Sequence, residues 1–433
     1  MTDWIGDTFT SDVGWSHLET LVDIGDRMAG SPGERAAAEA TRDAFARYGR
    51  DAHLDEFPIQ GWTRGDSHLH AGDTTQDCIA LPRSPSGTVE GDLVDLGYGL
   101  PQDYEDTDIA GAVVMVRSDV PAWYDRYLHR REKYYRAVEA GAAAFVYRNH
   151  VEGQLPPTGS VGTADDPIGP IPAVGVSSEV GARLARRWGG APIEVGVEAD
   201  IPSATSQNVH ADIGPDTDDA VYLTSHVDAH DIAEGALDNG AGTATVLEVA
   251  RALAAREADL DTRIHLVAFG AEEVGLDGSQ HEADRVDPDT VRAVLNLDGV
   301  VRGRTLSMTT HGFDALADAI ETVADRYQHP ITVSPNLGPH SDHWPFVEQG
   351  VPGVHVMSET GSQGRGWGHT QADTLDKLDV RDLREQAVLL TDLTVAFADA
   401  DLEVAPVAES TIAEALEDQD LAEGMKLIGD WPF

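Results

Sequence analysis

The chain has 433 residues, 41% of them hydrophobic, and a formal net charge of −46. That length predicts two domains, the apolar content suffices for packed cores, and the charge excludes nucleic acid as a partner, since phosphates would be repelled. Of the 30 basic residues only Lys133, Lys377 and Lys426 are lysine. An acidic surface so poor in lysine predicts adaptation to concentrated salt, because carboxylates hold water and cations while ionic strength screens their repulsion. Cys78 is the single cysteine, which excludes an intrachain disulfide and a multi-cysteine metal site. Residues Met1 to Asp7 have neither a basic n-region nor an apolar h-region, and no later stretch approaches the length of a membrane span. The expectation is a soluble cytoplasmic protein with no membrane partner; oligomeric state is not readable.

In chain order, Trp15 to Met28 carries Leu18, Leu21, Val22 and Ile24 at helical spacing. Ser31-Pro32-Gly33-Glu34 has the form of a capping box, with Ser31 as the cap, Pro32 at the first helical position and Glu34 reaching back. The Ala-rich helix it opens ends near Gly49. From about residue 60 strand-like runs such as Ala112 to Val116 alternate with turns, and one helix around Arg130 to Ala140 leads into a run through Tyr147. An irregular stretch, Gln154 to Pro170, precedes Ile171 to Val176.

After about residue 205 the alternation is regular: strand Ala220 to Ser225, helix Gly242 to Ala255, strand Ile264 to Phe269, strand Ala293 to Leu297, helix Phe313 to Tyr327, strand Val354 to Met357, helix Val380 to Ala398. This predicts an α/β fold with a mixed, mainly parallel sheet sandwiched by helices and an inserted β-rich domain. The predicted domains are 1–60 with 203–433, and 61–202 as the insertion. A polar-acidic helix is expected from Thr411 to Ile428 in the tail.

Five short motifs carry the chemistry. Ser225-His226-Val227-Asp228 ends a predicted strand, where residues two apart share a face and ligands gather in open α/β sheets. A metal-ligating histidine needs its second ring nitrogen held, which suits Asp228 better than a ligand role. Asp238 lies between a small-residue loop and Gly240-Ala241-Gly242 at a helix start, where a short carboxylate can reach two cations. Glu272 and Glu273 follow the strand ending at Phe269; at such a junction one can bind metal while the other faces water and takes its proton. Asp298 ends another strand, and His369 sits in a loop with Gly361, Gly364, Gly366 and Gly368. Mixed imidazole and carboxylate donors suit zinc, with cobalt or manganese as substitutes, and two ions sharing one carboxylate sit roughly 3.5–4 Å apart.

These motifs, with their order, resemble the di-zinc exopeptidase family that includes secreted leucine aminopeptidases and plasma glutamate carboxypeptidase. The resemblance covers about Thr10 to Gln60 and Ser203 to Ala400. It implies two zinc ions per chain: His226 and Asp298 on one, Glu273 and His369 on the other, Asp238 bridging, Glu272 as general base and Asp228 orienting His226. The segment His340 to Phe346 is similar to a family segment near the active site, and His343 is taken from it as the oxyanion donor. Residues 113–117, 137–147 and 171–176 resemble a protease-associated domain, a module often inserted in this family. Asn239 stands where many members carry a second aspartate, and His230 has no ligand role in the family. The implied activity is removal of the N-terminal residue from peptides. The alternatives are a carboxypeptidase or dipeptidase, for which Arg365 is the nearby cation, and a non-catalytic binding protein on the same scaffold, as in the transferrin receptor ectodomain.

Overall fold

The structure, a computed structural model, describes residues 3–360 and 366–433. It divides into two units: Met1–Ile59 with Ala204–Gly368 and Asp373–Ala415, and Gln60–Ser203 with His369–Ala372 and Leu416–Phe433.

The first unit is built on an eight-stranded sheet. From edge to edge it runs Arg50–Gln60, Ser203–Ile213, Arg263–Phe269, Ala220–His226, Val291–Leu297, Gly353–Ser358, Leu306–Thr309, Ile331–Ser334. The four strands from 263–269 to 353–358 are mutually parallel, and the 203–213 and 306–309 strands pair antiparallel with that block. Every residue of the 220–226 strand is buried, which explains its continuous apolar run. Helices Ala241–Ala254 and Val380–Phe397 pack on each other and on this strand. A second cluster joins Tyr222, Phe269 and Val294 to Ala283 and Phe346, from helices Asp277–Ala283 and Trp344–Val347. The 220–226 strand precedes both its neighbours in sequence, so the chain leaves it first to one side and later to the other. Such a reversal leaves a crevice at the carboxyl ends of the strands.

Local chemistry accounts for the helix limits. Ser31 Oγ accepts from Glu34 N at 3.0 Å, with Pro32 opening helix Pro32–Phe45. The Glu34 carboxylate does not close a box on the cap residue; it accepts from Gly30 N at 2.7 Å and from Ser206 Oγ at 2.6 Å. The preceding helix, Val13–Ile24, stops short of Met28 because Gly25 (φ 60) and Asp26 (φ 34) turn left-handed. The 50–60 strand was not expected: its half-exposed, largely polar sequence, RDAHLDEFPIQ, hides the alternation.

The second unit holds another eight-stranded sheet, in which Gly87–Asp95, Val113–Arg117, Ala144–Arg148 and Ala173–Val176 lie side by side in chain order, all parallel. Helix Arg130–Glu139 covers it through Tyr134, which packs with Val114, Val116 and Phe145. The tail is two helices, Glu409–Asp418 and Ala422–Ile428, separated at Asp420 (φ 56). Residues 416–433 group with this second unit, not with the first as expected. The tail buries Leu416, Met425 and Ile428 there and packs on helix Arg130–Glu139, with ion pairs at the margin: Arg136 pairs with Glu423 at 2.8 Å, and Arg131 Nη1 donates to Asp430 Oδ1 at 3.0 Å.

Candidate metal centre

The crevice at the carboxyl ends of the central strands in the first unit collects His226, Asp228, Asp238, Glu272, Glu273 and Asp298. His226 ends its strand, wholly buried, with Nε2 3.5 Å from Asp238 Oδ1, 3.8 Å from Asp298 Oδ1 and 4.0 Å from Glu272 Oε2. Donors held about 2.0–2.1 Å from a tetrahedral zinc stand about 3.3 Å apart, so His226, Asp238 and Asp298 lie at near-coordinating separations. His226 Nε2 is buried and has no hydrogen-bond partner among the described residues, a state expensive for a polar atom without a cation to meet it.

Asp228 holds the other side of the arrangement. Its Oδ1 is 3.3 Å from His226 Nδ1 and accepts from Glu272 N at 3.1 Å, while Oδ2 accepts from Glu273 N at 3.2 Å. One buried carboxylate thus orients the imidazole and the junction that carries both glutamates. Glu273 Oε2 lies 2.9 Å from His230 Nε2, both side chains being buried; His230 is a core histidine that orients Glu273. His369 has left-handed backbone (φ 57) and belongs to the second unit, where its carbonyl accepts from Thr158 N at 2.8 Å.

The electrostatics show an excess of buried negative charge. Burial lowers the His226 pKa, but the Glu272 charge, with Asp228, Asp238 and Asp298, outweighs it and raises the imidazole well above 6.5. Burial, then Glu273, Asp298 and Asp342, raises Glu272 well above the usual carboxylate range. Asp342 is pushed up to about 8 by burial. Burial and Asp238 push Asp298 upward, and His226 with His355 holds it below its usual value. Buried carboxylates in such excess need cations. The buried donors fit divalent cations, and Glu272, its N–H held by Asp228, lies among them.

Four supports had no sequence signal. Arg27, buried, donates to the carbonyls of Leu21, Val227, Glu234 and Gly235, bracing the loop that leads to Asp238. Asp373 accepts from Leu237 N at 2.6 Å and Asp238 N at 3.1 Å. Burial and the Asp238 charge push it up to about 7. Arg302 Nη2 lies 3.3 Å from Asp238 Oδ2. Glu34 accepts from Ala271 N at 3.2 Å, and burial with the Asp228 charge pushes it up to about 8.

His343 must be reassigned. It is fully buried, its Nε2 donates to Gly338 O at 2.9 Å, and its ring stacks between His311 and His355 at 4.6 and 4.8 Å. With that N–H committed it has no proton to offer an oxyanion. Besides His226, Asp298 meets Ser341, whose Oγ donates to Oδ2 at 2.8 Å, and His355, 3.9 Å from the same oxygen. Asn239 is a tie: its Nδ2 donates to Leu297 O at 2.8 Å and its Oδ1 accepts from Gly242 N at 3.1 Å. Arg365 lies outside the described residues.

A parallel-sheet crevice with clustered carboxylates, one imidazole and a spare acid defines a metal-dependent hydrolase. Residues 208–394 match the profile of Peptidase family M28, and residues 89–184 that of the PA domain. The chain thus carries a Peptidase family M28 domain and, ahead of it, a PA domain. Aminopeptidase YwaD of Bacillus subtilis (strain 168) is 27% identical over 388 residues, spanning 85% of this chain and 80% of that protein. The solved aminopeptidase from Aneurinibacillus sp. strain AM-1 superposes with a TM-score of 0.69 at 26% identity, over 94% of this chain and 99% of that one. A zinc aminopeptidase from Bacillus subtilis gives 0.70 at 25% identity, over 91% and 97%.

Proposed function

We propose that the protein is a zinc-dependent aminopeptidase acting on short peptides. By the family resemblance, His226, Asp238 and Asp298 would hold one ion, and Glu273 and His369 the other, with Asp238 available to both. When bound, the ions supply Lewis acidity to the attacking water and the scissile carbonyl. Glu272 takes the proton of that water and passes it to the leaving amine. Asp228 keeps His226 Nδ1 and the Glu272 backbone in register, and Arg27 and Asp373 keep Asp238 in place. The observation that carries the reading is Glu272 at 4.0 Å from His226 Nε2, a carboxylate among the buried donors, to which the family resemblance gives the role of the acid left free. A non-catalytic binding role has no use for such a base.

A cluster of carboxylates favours a free ammonium group at the substrate's end, and the relatives reported above are named as aminopeptidases. The test uses zinc-loaded protein and one peptide in three forms: free at both ends, N-acetylated and C-amidated. Loss of the N-terminal residue, blocked by acetylation and indifferent to amidation, is expected. Cleavage governed by the free carboxylate would overturn the reading in favour of a carboxypeptidase.

The acidic, lysine-poor composition supports a working environment of concentrated salt. Transfer from molar to millimolar KCl is therefore expected to lower the melting temperature by several degrees, since unscreened carboxylates repel one another. An unchanged or higher melting temperature would refute this.

A further inference from the structure

We propose that the second unit has a metal site of its own, formed by His68, His70 and Glu194 and suited to a divalent transition-metal ion such as zinc. His68 and His70 are two residues apart on strand Thr63–Ala71, so both rings stand on one face of the sheet. They stack with centroids 4.8 Å apart. The adjacent antiparallel strand, Pro192–Asp200, sets Glu194 opposite His70 and Gly196 opposite His68. A Cβ at Gly196 would lie 2.0 Å from His68 Cε1; the missing side chain is what lets the His68 ring lean over its neighbour strand toward Glu194.

The donor atoms are already close to coordinating distances. Glu194 Oε1 is 3.4 Å from His68 Nε2 and 4.0 Å from His70 Nε2. Tetrahedral zinc places its donors about 3.3 Å apart, so shifts on the order of 1 Å, within reach of side-chain rotation, bring all three onto one ion. His70 Nδ1 is 3.0 Å from Thr75 Oγ1, the residue opposite it on the next strand. With the hydroxyl accepting, Nδ1 carries the ring proton and Nε2 presents its lone pair, the arrangement that outer partners impose on metal-binding histidines.

The three side chains are 37%, 45% and 38% exposed, so an ion enters from solvent without any opening of the fold. Two imidazoles with one carboxylate select zinc, nickel or copper over the hard cations that an acidic surface gathers. Three protein ligands leave a position for water or for an outside carboxylate or imidazole. None of these residues takes part in the proposed peptidase chemistry, so the two sites stand or fall separately.

The test counts metal. Full-length protein and its H68N/H70N variant are dialysed against the same micromolar free zinc and assayed for bound metal by mass spectrometry. The wild type is expected to hold one equivalent more than the variant, and E194Q to weaken that equivalent, with peptide hydrolysis unchanged in both. The reading is a difference, so it holds whatever number of ions the first unit takes. Cobalt(II) should add a visible absorption band that H68N/H70N lacks. Equal zinc content in wild type and H68N/H70N, with no difference in the cobalt spectrum, would reduce the cluster to a histidine–glutamate ion pair and overturn the proposal.

Discussion

Each unit rests on an eight-stranded mixed sheet with a block of four parallel strands, and the two blocks end very differently. In the second unit the parallel strands follow one another in chain order, so the sheet has no reversal and no crevice of that origin. Charged groups there have partners: Arg117 donates to Asp119 at 2.7 Å from Nε and Nη2, and Lys133 Nζ donates to the carbonyls of Arg117 and Asp119 at 2.8 Å. In the first unit the order reverses beside the 220–226 strand, and the strand ends present His226, Glu272, Glu273 and Asp298 with Asp228, Asp238 and Asp342 buried among them. Arg302, at 3.3 Å from Asp238, is far from enough to balance them. The lesson is that the same type of sheet makes a reaction centre where topology opens a crevice and buried charge is left for an external cation to meet.

The largest test of that difference is Glu272→Gln. Removing the spare acid should lower turnover about 1,000-fold, within the range for a general acid–base group, while bound zinc stays unchanged. Turnover near the wild-type level would show that Glu272 is another structural carboxylate, and the contrast between the sheets would lose its chemical meaning.

Acid sensitivity should also separate the units. Burial, reinforced by Arg27 and Arg47, holds His17 down to about 4. Between pH 6.5 and 4 the unfolded chain therefore binds a proton that the folded one refuses, and stability falls as the pH drops through that window, by up to about 3 kcal/mol. His311, held down to about 3 by burial and His355, adds to the same slope. In the second unit, burial holds Lys133 down to about 8, which puts its window between pH 8 and 10.5, where stability rises with pH. Thermal melts across pH should show both slopes, with the acid one shallower in H17Q. An unaltered acid slope in H17Q would remove His17 from the account.

A smaller effect is expected from Asp228→Asn. The amide leaves one oxygen for two backbone N–H groups, so zinc affinity or turnover should drop roughly 10–100-fold, as for outer partners of metal ligands. Unchanged values in both measurements would mean that Glu272, Glu273 and His226 are held without Asp228.

The candidate ligands His226, Asp238, Glu272, Glu273 and Asp298 could be singled out in the sequence because each sits beside the end of an element. His226 closes a strand, Glu272 and Glu273 follow one, and Asp238 precedes a helix; periodicity marks those ends, and glycine-rich flanks mark where backbone must turn. The supports were not legible. Glu34, read as part of a cap, proves to hold Ala271 at 3.2 Å across 237 residues of chain. His343 sits in a segment that does reach Asp298, but through Ser341, because the turn at the start of helix Trp344–Val347 points the imidazole at Gly338 instead.

By itself the sequence determined the alternation of strands and helices, the inserted β-rich segment and the residue types able to bind metal. All of these are written in local spacing, composition and short motifs. Only the tertiary structure decided which buried groups hold them: Asp373 under the Leu237 and Asp238 amides, Arg27 on four carbonyls, the tail helix on helix Arg130–Glu139. A buried polar group must find its partner among whatever segments the fold brings within about 3 Å, and that choice depends on the whole chain at once.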